Sequence, residues 1–264
     1  MNILIATLLG IVEGITEFLP ISSTAHLIIA GDVLGWRGDI AKTFEIFIQL
    51  GAILAILWLY RRRCIRLVQC LWSAQERPLA ITIFISFLPA AITGFLLHSY
   101  IKRYLFSPIL VGVTLALGGL AILAIEARVR TTDIEGIDHI SFRKALGIGL
   151  AQCLALIPGV SRSGATIMGG LALGLPRGTA TEFSFFLAIP TMFAATLYDL
   201  AKNIKMIGAH EVPVFAVGFL SAFLSALIVI KIFIRFVQKH RFIGFAWYRI
   251  GVGALILFYY ICRI

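Results

Sequence analysis

The chain of 264 residues is 60% hydrophobic and 14% charged, with a formal net charge of +10 and a mean hydropathy of +0.98. Soluble domains are roughly 45–50% apolar and about 25% charged, so these values exclude a water-soluble globular enzyme and point to an integral membrane protein. Basic residues cluster between apolar segments, as in "YRRRCIRL" at 60–67, which fits cytoplasmic loops under the positive-inside effect and argues against a nucleic-acid partner.

In chain order the apolar stretches are 2–30, with polar interruptions, then 44–60, 79–99, 108–125, 145–175, 183–200, 212–234 and 246–262. Several approach the roughly 20 residues that a helix needs to cross the hydrocarbon, and none alternates as barrel strands do. An all-α polytopic membrane protein is expected. Residues 1–12 hold no Lys or Arg, and Glu13 and Glu17 interrupt the first run, so the start reads as mature protein and not as a cleaved signal. Cys64, Cys70, Cys153 and Cys262 show no metal or disulfide spacing and read as small apolar fillers.

Shifting the sequence by 139 aligns Gly10 with Gly149, Ser22 with Ser161, Phe44 with Phe183, Phe47 with Phe186 and Ala55 with Ala194, while Glu13 meets Gln152. Each half is then a broken segment with a proline and a serine cluster, followed by three continuous apolar segments. Pro20 and Pro158 cannot continue a helix, and freed backbone at membrane depth must be buried in protein or face a water-filled cavity. The expectation is one membrane domain, 1–264, of two inverted-topology repeats. Repeat one is about 1–127, repeat two about 143–264, and 128–142 is a cytoplasmic linker. Each repeat has a re-entrant helix–loop–helix hairpin, 2–35 or 143–175, plus three transmembrane helices, with the site where the hairpin loops meet. The distribution of Lys and Arg places the 61–78 loop inside but barely discriminates topologies.

The two broken segments carry the chemistry. Glu13 and Glu17 stand four apart, on one helix face. Like charges in a low dielectric call for a cation between or opposite them. A divalent metal, Mg2+ or Ca2+, suits carboxylate and phosphate oxygens together, and a shared proton is the alternative. After Pro20, a serine of Ser22-Ser23-Thr24-Ala25-His26 can cap a new helix whose start favours an anion. "PGVSRSGAT" at 158–166 repeats the design, with Ser161 or Ser163 as cap and Arg162 offering a fork of donors to phosphate. His26 reads as functional. His98, His139, His210 and His240 read as interfacial, and Thr16, Ser86, Thr93 and Thr114 as hydroxyls bonded to backbone. Glu45 and Glu182 either support the site or are solvated. The inventory is that of phosphoryl transfer or hydrolysis on a lipid phosphate. An inverted-repeat transporter or lipid flippase would share the duplicated broken helices, and a scaffold would leave the buried charges unexplained.

"EGITEFLPISSTAHL" and "PGVSRSGATIMGGLALGL" resemble the glutamate-rich and Pro-Gly-x-Ser-Arg-Ser-Gly motifs of the bacterial undecaprenyl-diphosphate phosphatases, the bacitracin-resistance protein family. "AKTFEIFIQLGAILA" (41–55), "QCLALIPG" (152–159) and "EFSFFLAIP" (182–190) extend the resemblance over essentially the whole chain. It implies hydrolysis of a polyprenyl diphosphate lipid to the monophosphate, which recycles the carrier for cell-wall synthesis and confers bacitracin resistance. It also implies dependence on Mg2+ or Ca2+ and a place in the bacterial inner membrane, surrounded by membrane lipids, with the site opening to the periplasm. By position, Glu13 and Glu17 become the acidic, metal-holding pair, His26 the catalytic histidine and Arg162 the phosphate-binding arginine. Ser23 is a candidate nucleophile beside His26 and water, and Ser22, Thr24, Ser161, Ser163 and Thr166 complete the substrate pocket. Ala25 departs from the family's usual glycine, which bears on loop geometry. The oligomeric state stays open, a homodimer included.

Overall fold

A computed structural model describes residues 2–36, 38–69, 77–105, 107–129, 136–203, 208 and 210–262. Among them are eleven α-helices, two short 3-10 turns and no strand. The helices are α1 (Ile3–Thr16), α2 (Ser23–Val33), α3 (Asp39–Leu59), α4 (Arg61–Gln69), α5 (Arg77–Tyr104) and α6 (Pro108–Glu126), then α7 (Phe142–Cys153), α8 (Arg162–Ala172), α9 (Arg177–Asn203), α10 (Val212–Val237) and α11 (Ile243–Ile261). Six are long and apolar enough to cross a membrane: Ile40–Leu59, Pro78–Leu97 and Pro108–Arg128 before the linker, Arg177–Lys202, Val212–Val237 and Ile243–Ile261 after it.

The other apolar helices are too short to cross. The 14 residues of α1 extend about 21 Å at 1.5 Å per residue, against a hydrocarbon core of about 30 Å. Helices α2, α7 and α8 have 11, 12 and 11 residues, and they pack in pairs, α1 on α2 and α7 on α8. Each pair is broken where the sequence supplies a breaker. After α1 come Pro20 and a left-handed Ser22, φ 68°; after α7 come a 3-10 turn at Leu154–Leu156, Pro158, Gly159 at φ 90° and a left-handed Ser161, φ 77°. Among the described residues, Ser22 and Ser161 are the non-glycine positions with positive φ, and they stand 139 apart. Gly159 also has no room for a side chain, because a Cβ there would meet Thr114 Oγ1 and the Val111 carbonyl.

The same offset runs through the packing. Helix α2 and helix α8 begin and end 139 residues apart, and so do the starts of α1 and α7. Helix α1 lies on α10 as α7 lies on α5, α3 meets α9, and α6 meets α11. A Cβ on Gly14 would meet Ser225 Oγ and the Ala222 carbonyl, and one on Gly149 would meet the backbone of Ser86. Gly149 is the offset partner of Gly10, and Ser225 that of Ser86. Such close approach substitutes in lipid for the missing hydrophobic drive between helices. Gly14→Leu is therefore expected to separate α1 from α10 and lower the melting temperature in detergent sharply. An unchanged melt would mean that the two backbones are not in contact.

Two regions differ from the sequence reading. The stretch 61–78, read as a loop, opens with helix α4, whose Arg63 pairs with Asp138 and whose remaining arginines lie on a half-exposed surface beside Tyr60. In the linker 128–142, residues 130–135 and, elsewhere, Cys70 lie outside the described residues, but Ile137 and Ile140 are buried under the main core. Near the same end, Glu126 of α6 accepts both Arg177 Nε at 3.0 Å and Nη2 at 2.5 Å, and the Phe242 amide at 2.9 Å. This carboxylate fastens the ends of α6, α9 and α11 together.

Candidate active site

Glu13 and Glu17 occupy successive turns at the C-terminal end of α1, where the Glu17 amide donates to the Glu13 carbonyl at 2.9 Å. Glu17 accepts twice: from Ser23 Oγ at 2.5 Å through Oε2, and from Arg162 Nη2 at 3.1 Å through Oε1. The second bond joins residues 145 apart in sequence, so the two broken segments meet at this ion pair. Arg162, the first residue of α8, also donates through Nη1 to the Ser184 carbonyl at 3.0 Å and sits over the Phe18 ring at 5.6 Å. Its Nε is buried without an acceptor. Glu13 is 0% exposed, neither of its carboxylate oxygens has a hydrogen-bond partner, and the charged groups facing it are Glu17, Glu45 and Arg162.

The hydroxyl groups divide into two sets. Ser161 caps α8 by accepting the Gly164 amide at 3.1 Å and bonds Ser163 Oγ at 3.0 Å, and Ser163 Oγ donates to the Leu19 carbonyl in the opposite loop at 2.8 Å. Thr166 Oγ1 lies 2.7 Å from Ser184 Oγ and donates to the Arg162 carbonyl at 2.9 Å. Ser161 and Ser163 thus tie the two loops together, and Thr166 ties α8 to α9. At the start of α2, Ser22 makes no side-chain cap bond, contrary to the expected serine cap, because Ser23 Oγ turns instead to Glu17. The first amides of α2 stay uncapped by any side chain, next to half-buried Thr24. An uncapped helix start favours an anion.

His26 stands one turn beyond Ser23 and does not reach the carboxylates. Its Nδ1 lies 2.8 Å from the Ser22 carbonyl and its Nε2 lies 2.7 Å from the hydroxyl of Tyr248 on α11. The next residue, Arg249, is 1% exposed and donates to the carbonyls of Pro20, Gly159, Val160, Leu115 and Thr114 at 2.9–3.4 Å. It thus grips both hairpin loops at once.

A family model described as bacitracin resistance protein BacA matches residues 6–255. The chain belongs to the BacA family. It is 54% identical over 252 residues to a protein of Nitrosomonas europaea, covering 96% of this chain and 92% of that one. Against a protein of Methylobacillus flagellatus the identity is 52% over 260 residues, covering 97% of each. Against one of Bordetella avium it is 47% over 266 residues, covering 95% and 94%. All three are named undecaprenyl-diphosphatase.

In this BacA family member the donor set suits a hard divalent cation. Glu13 offers two oxygens at zero exposure that meet no donor, and the one guanidinium that faces it, Arg162, is bonded to Glu17, a costly arrangement for an ionised carboxylate. Among the described residues no third His, Cys, Asp or Glu joins the pair to form a closed cluster. A hard divalent cation can be held by one or two carboxylates when substrate oxygens complete its coordination. Sequence reading missed Ser184, Tyr248 and Arg249. For Arg249 a signal existed, since an ionisable residue inside an apolar run is a functional candidate by default. Thr16, Ser86 and Thr114 bond backbone carbonyls as expected, whereas Thr93 contacts Cys153 Sγ at 3.8 Å.

Proposed function

We propose that this protein hydrolyses undecaprenyl diphosphate to undecaprenyl phosphate and inorganic phosphate, so recycling a lipid carrier for the cell wall and conferring bacitracin resistance. The names of the relatives supply the substrate. The observation that carries the reading is the meeting of Glu17, Ser23 and Arg162 beside the unpartnered Glu13 carboxylate.

The matched helix ends and the paired left-handed serines support two inverted repeats, each a re-entrant hairpin with three spans. In that arrangement the arginine-rich α4 lies on the cytoplasmic side of the bacterial inner membrane, and the hairpin loops open to the periplasm. The lipid diphosphate enters sideways from the outer leaflet. Arg162 and the uncapped start of α2 bind its phosphate oxygens, with Thr24 at the rim. Glu13 and Glu17 would hold Mg2+ or Ca2+, which neutralises phosphate charge when bound.

Ser23 is aimed for attack. Its Oγ–H already donates to Glu17, so Glu17 takes the proton as Oγ bonds to the terminal phosphorus and the bond from phosphorus to the bridging oxygen breaks. Water then cleaves the phosphoserine, releasing phosphate, and His26 handles the proton of that water. The test is phosphate release from an isoprenyl diphosphate by detergent-purified protein, with Mg2+, Ca2+ or EDTA. Release that needs metal, that Glu17→Gln and Arg162→Ala each abolish, and that His26→Ala cuts to a small residual rate, is expected. Full activity of Ser23→Ala would replace serine with water as nucleophile. No release from folded wild type with any metal would overturn the proposal.

A further inference from the structure

We infer that Tyr248 is a positioning residue for this reaction, acting through His26; the inference rests on the reading of His26 as the group that handles the proton. His26 is held at both ends of its ring. A carbonyl oxygen only accepts, so the 2.8 Å contact with Ser22 requires the hydrogen to be on Nδ1. In the neutral ring the lone pair is then on Nε2, where the Tyr248 hydroxyl lies at 2.7 Å and donates to it. The two rings lie nearly in one plane, with centroids 5.6 Å apart and planes 4° from parallel, which aims the hydroxyl at the in-plane lone pair of Nε2. Two hydrogen bonds, one at each ring nitrogen, leave the neutral imidazole one orientation and one tautomer.

The identity of the working nitrogen follows. Nδ1 is committed to the backbone of α2, so Nε2 is the nitrogen that can exchange a proton, and the Tyr248 hydroxyl holds it in place for that exchange. Tyr248 is 46% exposed, and what anchors its ring is the backbone that carries it. Its neighbour Arg249 is bonded to both hairpin loops and to α6, against which α11 packs. The last helix of the chain thereby fixes a ring 222 residues earlier in sequence. Ser22 contributes through its left-handed backbone, φ 68°, which sets the carbonyl that orients Nδ1.

The experiment uses the full-length protein in detergent with its histidine rings labelled with 15N, His26→Ala identifying the His26 signals. Tyr248→Phe keeps the ring and removes only the hydroxyl, and its melting curve reports folding. The expected results are a displaced Nε2 resonance, as for a nitrogen that has lost its donor, and a kcat lowered roughly tenfold or more with KM within about twofold. In the His26→Ala background, Tyr248→Phe is expected to change the residual rate no further, since its effect passes through the missing ring. An unmoved Nε2 resonance, or the same fold loss in that background, overturns the inference. If wild type releases no phosphate, the catalytic reading falls and this role with it, while the resonance still reports whether the two rings are bonded.

Discussion

Arg162→Met is expected to abolish phosphate release and to lower the melting temperature, and adding Glu17→Gln is expected to restore the melt without restoring activity. The guanidinium is the cation that faces Glu13 and Glu17 across the two loops. Removing one partner of a buried pair leaves an uncompensated charge, at a cost of about 3–5 kcal/mol. Neutralising Glu17 removes that charge, so stability returns. The catalytic loss has a different origin, because the diphosphate then meets no fork of donors. Losing one such donor costs on the order of 10²–10³ in rate, and an arginine contributes more than one. Arg162→Lys should recover little activity, since an ammonium cannot span Ser184 and Glu17 as the planar fork does. Circular-dichroism melts and phosphate assays on the three variants decide the matter. A double variant as unstable as the single one would show that Glu17 is not the group Arg162 neutralises.

How much of this was legible in sequence depends on whether a feature leaves a local trace. Pro20, Pro158 and the serines that follow them announce two breaks, and the offset of 139 read from sequence is the one that relates α2 to α8. Glu13 and Glu17 disclose themselves by spacing, and Arg162 by standing in the matching break. Helix α4 was hidden because its arginine density resembles a solvated loop. The His26 to Tyr248 bond and the Arg249 grip span 222 and 229 residues, and no short window contains both ends. The division of labour among the serines was equally invisible. Ser161 caps while its counterpart Ser22 does not, and Ser23, which bonds Glu17, has an arginine, Arg162, as its counterpart. The two helix pairs match in backbone and differ in charge, with glutamates in the first and an arginine in the second.

Arg249 lies behind both hairpins, and its removal should be the most damaging single change outside the acidic pair. The carbonyls of Pro20, Gly159 and Val160 belong to broken segments and cannot close helical hydrogen bonds; among the described residues Arg249 is their donor. Each buried polar group left unsatisfied costs about 1–3 kcal/mol, so three approach the entire 5–15 kcal/mol that typically separates folded from unfolded protein. Arg249→Met is therefore expected to yield little folded protein, or protein that melts far below wild type. Arg249→Lys should fall between, with three donors on a compact head. Gly118→Ala should reproduce the effect in milder form, because a Cβ there would collide with the Arg249 guanidinium. The contrast with Arg162 lies in the second-site response. Glu17 can be neutralised to relieve the loss of Arg162, but the partners of Arg249 are main-chain carbonyls, and no side-chain substitution removes them. A melt of Arg249→Met within a degree or two of wild type would mean that water supplies the missing donors, and that the loops do not depend on this arginine for their shape.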